Sequence, residues 1–240
     1  MQLSNNKVLI TGGASGIGLG LTERFINENN TVIIVGRREA VLQEAAAKFP
    51  SVITKVSDLA SEEDRIALYN WVAENHSDLN VLVNNAGIQN WMGFDDPHFF
   101  AKATAEVTTN VLAPMHLTSL FIQLPALKAI MNVTSGLAYV PFSKAPVYSA
   151  TKAFFHSFTM SSRYLLKAKN IEVIDIIPPA LNTDLGGKGL HDGQPAVSLF
   201  VDSIFQQLAE GKTELSFGFA EAMTKAGPED IKNAFNRLNP

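Results

Sequence analysis

The amino-acid sequence predicts a single doubly wound α/β domain with a parallel sheet of about seven strands. Short apolar runs alternate with helical patterns along nearly all of the 240 residues, which is typical of parallel strands covered on both faces. The first apolar run, residues 7–10, leads directly into a glycine-rich turn and then a helical pattern. No linker, repeat or low-complexity stretch marks a second domain, so we predict one domain over residues 1–240.

Composition and charge exclude several classes of protein. The hydrophobic fraction of 46% and the charged fraction of 18% fit a globular protein with a large core. A net charge of −4 gives no electrostatic footprint for nucleic acid, and no apolar run has the length of a membrane span. The absence of cysteine excludes disulfides and thiolate metal sites, and we expect no metal. The polar N-terminus is unlike a signal peptide, so the predicted location is cytoplasmic.

The first glycine-rich turn has the spacing Gly12-x-x-x-Gly16-x-Gly18 between a strand and a helix. Glycines let the backbone approach a pyrophosphate, and the free N–H groups at a helix start face its negative charge. The helix that follows carries apolar side chains on one side, at Ile17 and Leu21. A glycine-rich turn alone is weak evidence, because many tight turns look alike. Strand, turn and helix together favour dinucleotide binding.

The second strand, residues 31–35, ends in Gly36-Arg37-Arg38. In a dinucleotide-binding unit this strand end reaches the adenosine ribose. An acidic side chain there binds the 2′-hydroxyl of NAD, whereas arginine accommodates the 2′-phosphate of NADP. Here the acid is absent and two arginines follow, which predicts NADP, with NAD as the alternative. The other interpretation is a solvated basic turn.

The remaining elements continue the alternation. In chain order they are a helix at 38–48, a strand at 52–56, a helix to about 75, a strand at 81–83, a helical segment at 97–124, a strand at 129–133, a helix to about 168, a strand at 171–177, a helix at 196–209, a strand at 214–217 and a terminal helix at 220–238 broken at Gly227-Pro228. Ser61 and the acidic residues after it are typical of a helix cap. Pro114 lies inside the segment 97–124, where its missing N–H either leaves the carbonyl of Asn110 free or simply kinks the helix.

The segment after the sixth strand differs in amino-acid composition from the rest of the chain. Residues 184–194 hold four glycines and few side chains that could pack. The segment follows the carboxyl end of a sheet strand, which is where ligands bind in open α/β sheets. This position favours a substrate lid at about 184–198 over a disordered loop.

Tyr148 and Lys152 carry the strongest chemical signal in the chain. They lie four residues apart in a helical pattern, which places them on one face of a helix. An ammonium group one turn away favours the phenolate, so we expect the pKa of the tyrosine to be lowered. The pair then suits proton transfer in an alcohol–ketone interconversion. Taken alone, such a pair is more often two neighbours without a function.

Together these stretches resemble the short-chain dehydrogenase/reductase family, whose fold is of the Rossmann type, over essentially the whole chain. The matching residues are Thr11-Gly12-x-x-x-Gly16-x-Gly18, Asp58-Leu59, Asn84-Asn85-Ala86-Gly87, Asn110, Ser135, Tyr148-x-x-x-Lys152, and Pro178 with Thr183. Each motif is weak alone, but the whole set in the family's order and spacing is very specific. The resemblance implies an NAD(P)-dependent alcohol dehydrogenase or carbonyl reductase that transfers a hydride to or from a small-molecule substrate.

The resemblance also implies a role for each matching residue. Tyr148 would be the general acid/base, Lys152 would lower its pKa and hold the nicotinamide ribose, and Ser135 would bind the substrate oxygen. Asn110 would keep a water in place for a proton relay. Cofactor contacts would come from Gly12, Ala14, Ser15, Gly16, Ile17, Gly18, Arg37, Arg38, Asp58, Leu59, Asn84, Ala86, Gly87, Tyr148, Lys152, Pro178, Leu181 and Thr183.

One departure and several alternatives accompany the resemblance. The family usually has Pro-Gly where this chain has Pro178-Pro179, and the second proline removes a backbone donor, so the backbone at 180–182 is expected to differ. The alternative functions are an NAD(H)-dependent dehydrogenase, an epimerase or dehydratase on the same scaffold, and a dinucleotide sensor without turnover. The family also implies a homodimer or homotetramer built through the long helices near Asn110 and Tyr148, and no nucleic-acid or membrane partner.

Overall fold

Seven parallel strands form the centre of the molecule, and the computed structural model describes all of residues 1–240. The strands are β1 (Lys7–Thr11), β2 (Thr31–Gly36), β3 (Ile53–Val56), β4 (Val81–Asn84), β5 (Ala129–Val133), β6 (Glu172–Ile177) and β7 (Glu214–Ser216). Their order across the sheet is β3-β2-β1-β4-β5-β6-β7, and every neighbouring pair is parallel. The predicted doubly wound sheet is confirmed, and each strand end lies within one residue of the predicted end.

Helices connect the strands on both sides of the sheet. They are α1 (Gly16–Asn27), α2 (Glu39–Lys48), α3 (Glu62–Asn75), α4 (Phe99–Val107), α5 (Ala113–Phe121), α6 (Pro146–Leu166), α7 (Val197–Ala209), α8 (Gly218–Thr224) and α9 (Pro228–Leu238). Ser61 caps α3 as predicted, because its hydroxyl oxygen accepts a hydrogen bond from the Asp64 N–H at 3.1 Å. The terminal helix is divided just before Pro228, as the predicted break requires.

Apolar side chains fill both faces of the sheet. Val8 and Ile10 of β1 point to one face and Leu9 points to the other, because successive side chains of a strand alternate. Helices α1 and α7 cover the first face, where the rings of Phe25 and Phe205 pack with centroids 5.0 Å apart. Helices α3 and α5 cover the second face. Since both faces are covered, a ligand must bind at the carboxyl edge of the strands.

The long helix predicted at 97–124 is wrong in one respect. A π-helical turn, Thr108–Leu112, separates α4 from α5, and the Ala113 N–H donates to the carbonyl of Thr108, five residues back. Pro114 therefore lies in the first turn of a new helix, where its missing N–H costs no intrahelical bond. The wider turn carries Asn110, which is 2% exposed. Turns of this kind are frequent at functional sites.

The chain between β6 and α7 contains no regular element. The Asn182 N–H donates to the carbonyl of Pro195 at 2.9 Å, which closes this stretch into a loop. Gly186 and Gly189 have φ values of +80° and +77°, which favour glycine. None of the helices of the molecule combines the length and the apolar character needed to cross a membrane.

Candidate active site

An open cleft of about 890 Å³ runs along the carboxyl ends of the central strands. Its walls come from the glycine-rich turn after β1, the turns after β2, β3 and β4, the start of α6 and the loop after β6. The predicted contact residues that line it are Gly12, Ala14, Ser15, Gly16, Ile17, Gly18, Arg37, Arg38, Asp58, Leu59, Ala86, Gly87, Tyr148, Lys152, Pro178 and Thr183. The fold thus gathers residues from most of the chain at one surface.

The glycine-rich turn places the start of α1 in the cleft wall. Gly16 is the first residue of α1 and has a φ of +51°, which favours glycine. A Cβ atom at Gly18 would lie 2.1 Å from the carbonyl oxygen of Gly12, so only glycine allows the helix to pack this close to the turn. The first N–H groups of α1 have no partner within the helix. They suit an anionic group such as a pyrophosphate.

Thr11 and Asn85 fix this turn to the end of β4. The Thr11 hydroxyl oxygen accepts hydrogen bonds from the N–H groups of Asn85 at 2.9 Å and Ala86 at 3.0 Å. The same hydroxyl donates to the carbonyl of Val83 at 3.2 Å. The side-chain amide of Asn85 donates to the carbonyls of Thr11 at 2.8 Å and Gly12 at 3.2 Å. Two strand ends therefore form a fixed floor for the cleft.

Two of the predicted cofactor contacts, Asn84 and Leu181, are not among the residues of the cleft wall. The Asn84 side-chain amide donates to Oδ1 of Asn132 at 2.9 Å in the interior of the molecule. Successive side chains of a strand point to opposite faces, so the Asn84 side chain points away from that of Asn85. Leu181 is 2% exposed and belongs to the apolar core on the α1 side of the sheet. Some residues of the cleft wall received no contact role from the sequence, although they adjoin the matched motifs or belong to the predicted lid: Ser57, Gln89, Asn90, Leu185 and Gly186.

Arg37 and Arg38 follow β2, on the adenosine side that the sequence predicts. Both side chains are exposed, and neither guanidinium takes part in any ion pair of the molecule. Gly36 brings no carboxylate to this strand end. The side chain of Asp58 accepts a hydrogen bond from the Ala60 N–H at 3.1 Å, which orients it beside the cleft. Two free cations at the end of β2 suit a phosphate monoester.

Tyr148, Ser135 and Lys152 meet near the end of β5. Tyr148 and Lys152 are one turn apart on α6, and the Lys152 Nζ lies 5.6 Å from the centroid of the tyrosine ring. Nζ donates a hydrogen bond to the carbonyl of Val133 at 2.8 Å. The Ser135 hydroxyl is a neighbour of the Tyr148 phenol and favours its ionised form, and its oxygen accepts a hydrogen bond from the Leu137 N–H at 3.1 Å. Ser135 itself is not among the residues of the cleft wall, but Val133, Thr134 and Tyr148 beside it are.

Asn110 lies behind the cleft wall and faces Lys152. Its Oδ1 accepts from the Ile88 N–H at 2.9 Å, and its Nδ2 donates to the Ile88 carbonyl at 2.8 Å. A Cβ atom at Gly87 would lie 3.3 Å from Oδ1 of Asn110 and 3.7 Å from Nζ of Lys152. The amide and the ammonium group therefore converge on Gly87. The fourth predicted catalytic residue is thus close to Lys152.

Burial governs the ionisation of the central pair. Burial raises the pKa of the Tyr148 phenol above its ordinary value, although the neighbouring Ser135 hydroxyl opposes this shift and the charge of Glu106 adds to it. Burial lowers the pKa of Lys152 from 10.5 to about 8, and the charge of Asp175 opposes this change. The expected lowering of the tyrosine pKa by Lys152 is therefore wrong for this structure. Burial disfavours the charged form of both groups, and this effect exceeds their attraction.

Comparisons with known proteins agree with this geometry. The profile of the short chain dehydrogenase family matches residues 6–192. The chain is 40% identical to the uncharacterized oxidoreductase DltE of Bacillus subtilis (strain 168), over 100% of this chain and 98% of that protein. It is 31% identical to the NADP-dependent 3-hydroxy acid dehydrogenase YdfG of Shigella flexneri, over 95% of this chain and 86% of that protein. A short chain dehydrogenase from Burkholderia cenocepacia J2315, solved in complex with NADP, is similar with a TM-score of 0.85 and 26% identity, and the alignment covers 99% of both chains.

Proposed function

The chain belongs to the short-chain dehydrogenase/reductase family, and on this premise we propose that it is an NADP(H)-dependent oxidoreductase that interconverts a carbonyl and an alcohol. The observation that carries this proposal is the meeting of Tyr148, Ser135 and Lys152 beside a cleft of about 890 Å³. A phenol next to a hydroxyl can polarise and protonate a carbonyl oxygen. The proposed type is an alcohol dehydrogenase or carbonyl reductase.

Tyr148 moves the proton on the substrate oxygen. Burial keeps its phenol protonated at neutral pH, which is the form that donates a proton during carbonyl reduction. Ser135 donates a second hydrogen bond to the same oxygen and stabilises the negative charge that develops there. The nicotinamide, when bound, supplies or accepts the hydride. After the proton transfer, the charged form of Lys152 stabilises the phenolate of Tyr148. Asn110 keeps a water in place, and a proton returns to the phenolate through this water.

NADP(H) is the proposed cofactor, with NAD(H) as the alternative. Arg37 and Arg38 offer free guanidinium groups for the 2′-phosphate, and Gly36 offers no carboxylate for a 2′-hydroxyl. The start of α1 receives the pyrophosphate, because Gly18 lets the helix approach the turn. Support comes from the YdfG relative, which is named NADP-dependent, and from the Burkholderia cenocepacia structure, which is a complex with NADP.

The loop after β6 acts as a lid over the substrate, at about residues 184–196, because α7 already begins at Val197. Leu185 and Gly186 line the cleft next to the residues that follow β4. The indole N–H of Trp91 donates to the carbonyl of Gly186 at 3.0 Å, so the loop is held by a contact that one bond rotation can break. Positive φ values at Gly186 and Gly189 give the loop the backbone freedom that a moving segment needs.

Apolar side chains on α4 and α6 favour a homodimer or homotetramer. Phe100 of α4 is 82% exposed, and Tyr164 and Leu165 of α6 are 83% and 70% exposed. Large exposed apolar side chains on neighbouring helices are one of the features of surfaces that bind another protein chain. Light scattering measures the assembly directly, and Leu165→Glu should shift the molecular mass toward the monomer.

The test of the proposed function is turnover of NADPH with a panel of ketones, aldehydes and 3-keto acids. Reduction predicts that each mole of alcohol formed consumes one mole of NADPH, while NADH is used less efficiently. Product formed with no net consumption of NADPH would indicate an epimerase or dehydratase. Tight NADPH binding without turnover of any compound in the panel would indicate a sensor.

A further inference from the structure

A buried carboxylate lies behind the active site, and the proposed mechanism does not use it. Asp175 on β6 is 0% exposed. Its Oδ1 accepts a hydrogen bond from the Thr134 hydroxyl at 2.6 Å, and its Oδ2 lies 2.6 Å from Nδ1 of His156. Burying a carboxylate costs free energy unless it is paired and hydrogen-bonded. Both of its oxygens are held in this way, so its position is fixed.

The partners of Asp175 connect it to Lys152. Lys152 and His156 are four residues apart on α6 and therefore lie on the same face, next to Tyr148 one turn earlier. The Lys152 ammonium group donates to the carbonyl of Val133 at 2.8 Å. The following residue, Thr134, is the hydroxyl donor to Asp175. The ammonium group and the carboxylate thus bind adjacent residues at the end of β5, and both lie beside α6.

We propose that Asp175 is a positioning residue whose buried carboxylate is the counter-charge that keeps Lys152 charged in the cleft. Thr134 and His156 hold this carboxylate in place. The role assigned to Lys152 rests on the proposed function, but its charge state can be measured without turnover. Asp175 acts through Lys152 and does not touch substrate or cofactor.

The balance of charge around Lys152 supports this role. Burial lowers the pKa of Lys152 to about 8, and Asp175 is the one charge that opposes the change. An opposite charge nearby typically moves a pKa by about 1–3 units. Removal of the carboxylate should therefore lower the pKa of Lys152 further and increase the neutral fraction of its amine at pH 7. A neutral amine neither attracts an anionic cofactor nor favours a phenolate.

The other ionisable groups around Asp175 are His156, which contacts its Oδ2 at 2.6 Å, and Glu214 and Tyr139. On β7, Glu214 lies opposite Asp175 and is paired with Arg163 of α6 at 2.9 Å, so these two charges largely cancel. Tyr139 lies 3.2 Å from Nε2 of His156, and burial raises the pKa of its phenol, which stays neutral. Tyr148 is kept neutral by burial as well.

The experiment follows the Lys152 side chain by NMR in the full chain. The ¹³Cε and ¹⁵Nζ signals of the lysines are titrated from pH 6 to pH 11, and the signal of Lys152 is identified by its absence in Lys152→Arg. Asp175→Asn keeps the shape and the hydrogen-bond acceptor for Thr134 but removes the charge. We expect the midpoint of Lys152 to fall by about one pH unit or more. Equal midpoints in the two proteins would overturn the proposal.

The matched control is Glu214→Gln, which removes a carboxylate from the neighbouring strand. Glu214 is exposed and paired with Arg163, so the Lys152 midpoint should stay unchanged. An equal fall in both variants would overturn the proposal, because it would reflect net charge alone. If Asp175→Asn does not fold, Asp175→Ser removes the same charge with a smaller side chain. A wild-type midpoint below pH 7 would also overturn the proposal.

Activity gives an independent readout. In the wild type, the loss of NADPH turnover at alkaline pH should follow the Lys152 midpoint, and in Asp175→Asn both should move to lower pH together. A purely structural role would lower the melting temperature without moving either midpoint, and would overturn the proposal. Absence of turnover in the wild type would contradict the proposed function and leave the NMR result valid.

Discussion

The indole N–H of Trp91 donates a hydrogen bond to the carbonyl oxygen of Gly186 at 3.0 Å, which joins the loop after β4 to the loop after β6. The Trp91 ring also packs edge-on against Phe142, with centroids 5.6 Å apart. A Cβ atom at Gly186 would lie 3.1 Å from the indole nitrogen, so a glycine permits the close approach. One side chain therefore links the proposed lid to the loop after β4.

Trp91→Phe should open the lid. The aromatic ring and its packing on Phe142 remain, and only the donor to Gly186 is lost. We expect faster hydrogen exchange in residues 184–194 and a KM for the substrate several-fold higher, with a smaller change in kcat. The control is Trp71→Phe on α3, remote from the cleft, which should change neither. Unaltered exchange in Trp91→Phe would show that the bond does not hold the loop.

Tyr148→Phe should nearly abolish turnover while the fold and NADPH binding are kept. The ring survives, and only the oxygen that carries the proton is removed. General acid–base catalysis typically contributes about 10²–10⁴-fold, and we expect kcat to fall by about that amount. Tyr69→Phe, on α3, is the matched control with unchanged kcat. Turnover close to wild type in Tyr148→Phe would refute the assignment.

Arg37→Ala should weaken the preference for NADPH over NADH. Hydrogen bonds to charged groups contribute roughly 1.5–3 kcal/mol, so kcat/KM with NADPH should fall by about 10- to 100-fold. The value with NADH should change little. Because Arg37 is exposed, added salt should also reduce the preference in the wild type. The control is Arg237→Ala, in the last turn of α9, which should leave the cofactor preference unchanged. Equal kcat/KM values of the wild type with NADPH and NADH would contradict the prediction.

Gly18→Ala should damage both the fold and cofactor binding. The added methyl group would meet the carbonyl oxygen of Gly12 at 2.1 Å, and backbone cannot move aside as a flexible side chain can. Overpacking of this kind typically costs about 1–3 kcal/mol, which urea unfolding can measure. Gly193→Ala is the control, since nothing lies within 4 Å of its added methyl group. Equal stability of the two variants would show that the turn adjusts freely.

Lys152→Met should stabilise the protein at pH 7 while abolishing activity. The pKa of Lys152 is lowered on folding from 10.5 to about 8, so the unfolded chain binds more protons between these values. Stability therefore rises with pH across that window, and at pH 7 the buried charge costs roughly 3 kcal/mol. The donor lost to Val133 offsets part of this, which leaves a gain of about 1 kcal/mol.

The measurement for Lys152→Met is the free energy of unfolding between pH 7 and pH 10. The slope between pH 8 and pH 10 should be smaller than in the wild type. Lys225→Met, at an exposed site on the molecular surface, should keep the wild-type slope. A loss of stability at pH 7 in Lys152→Met would show that the charge is well compensated.

The sequence predicts the sheet well because its signals are local. Apolar runs such as residues 129–133 and the spacing of Tyr148 and Lys152 need only the chain nearby. The π-turn at Asn110 was not predictable in this way, because Pro114 alone signals a break without its geometry. Which of Asn84 and Asn85 faces the cleft depends on where β4 ends. The direction of the Tyr148 pKa depends on burial, which is set by the whole fold.

The hydroxyl of Thr11 has a consequence for how the protein reaches its native state. Its hydrogen bond with the Asn85 N–H joins two residues that are 74 positions apart in the chain. The separation is large because β1 pairs with β4 as well as with β2. Long-range pairing of this kind slows folding and forms after local helices. The cofactor cleft is therefore completed late. In refolding experiments, the change in NADPH fluorescence on binding should occur later than the recovery of the far-UV circular dichroism. Cofactor binding then reports the completion of the central sheet.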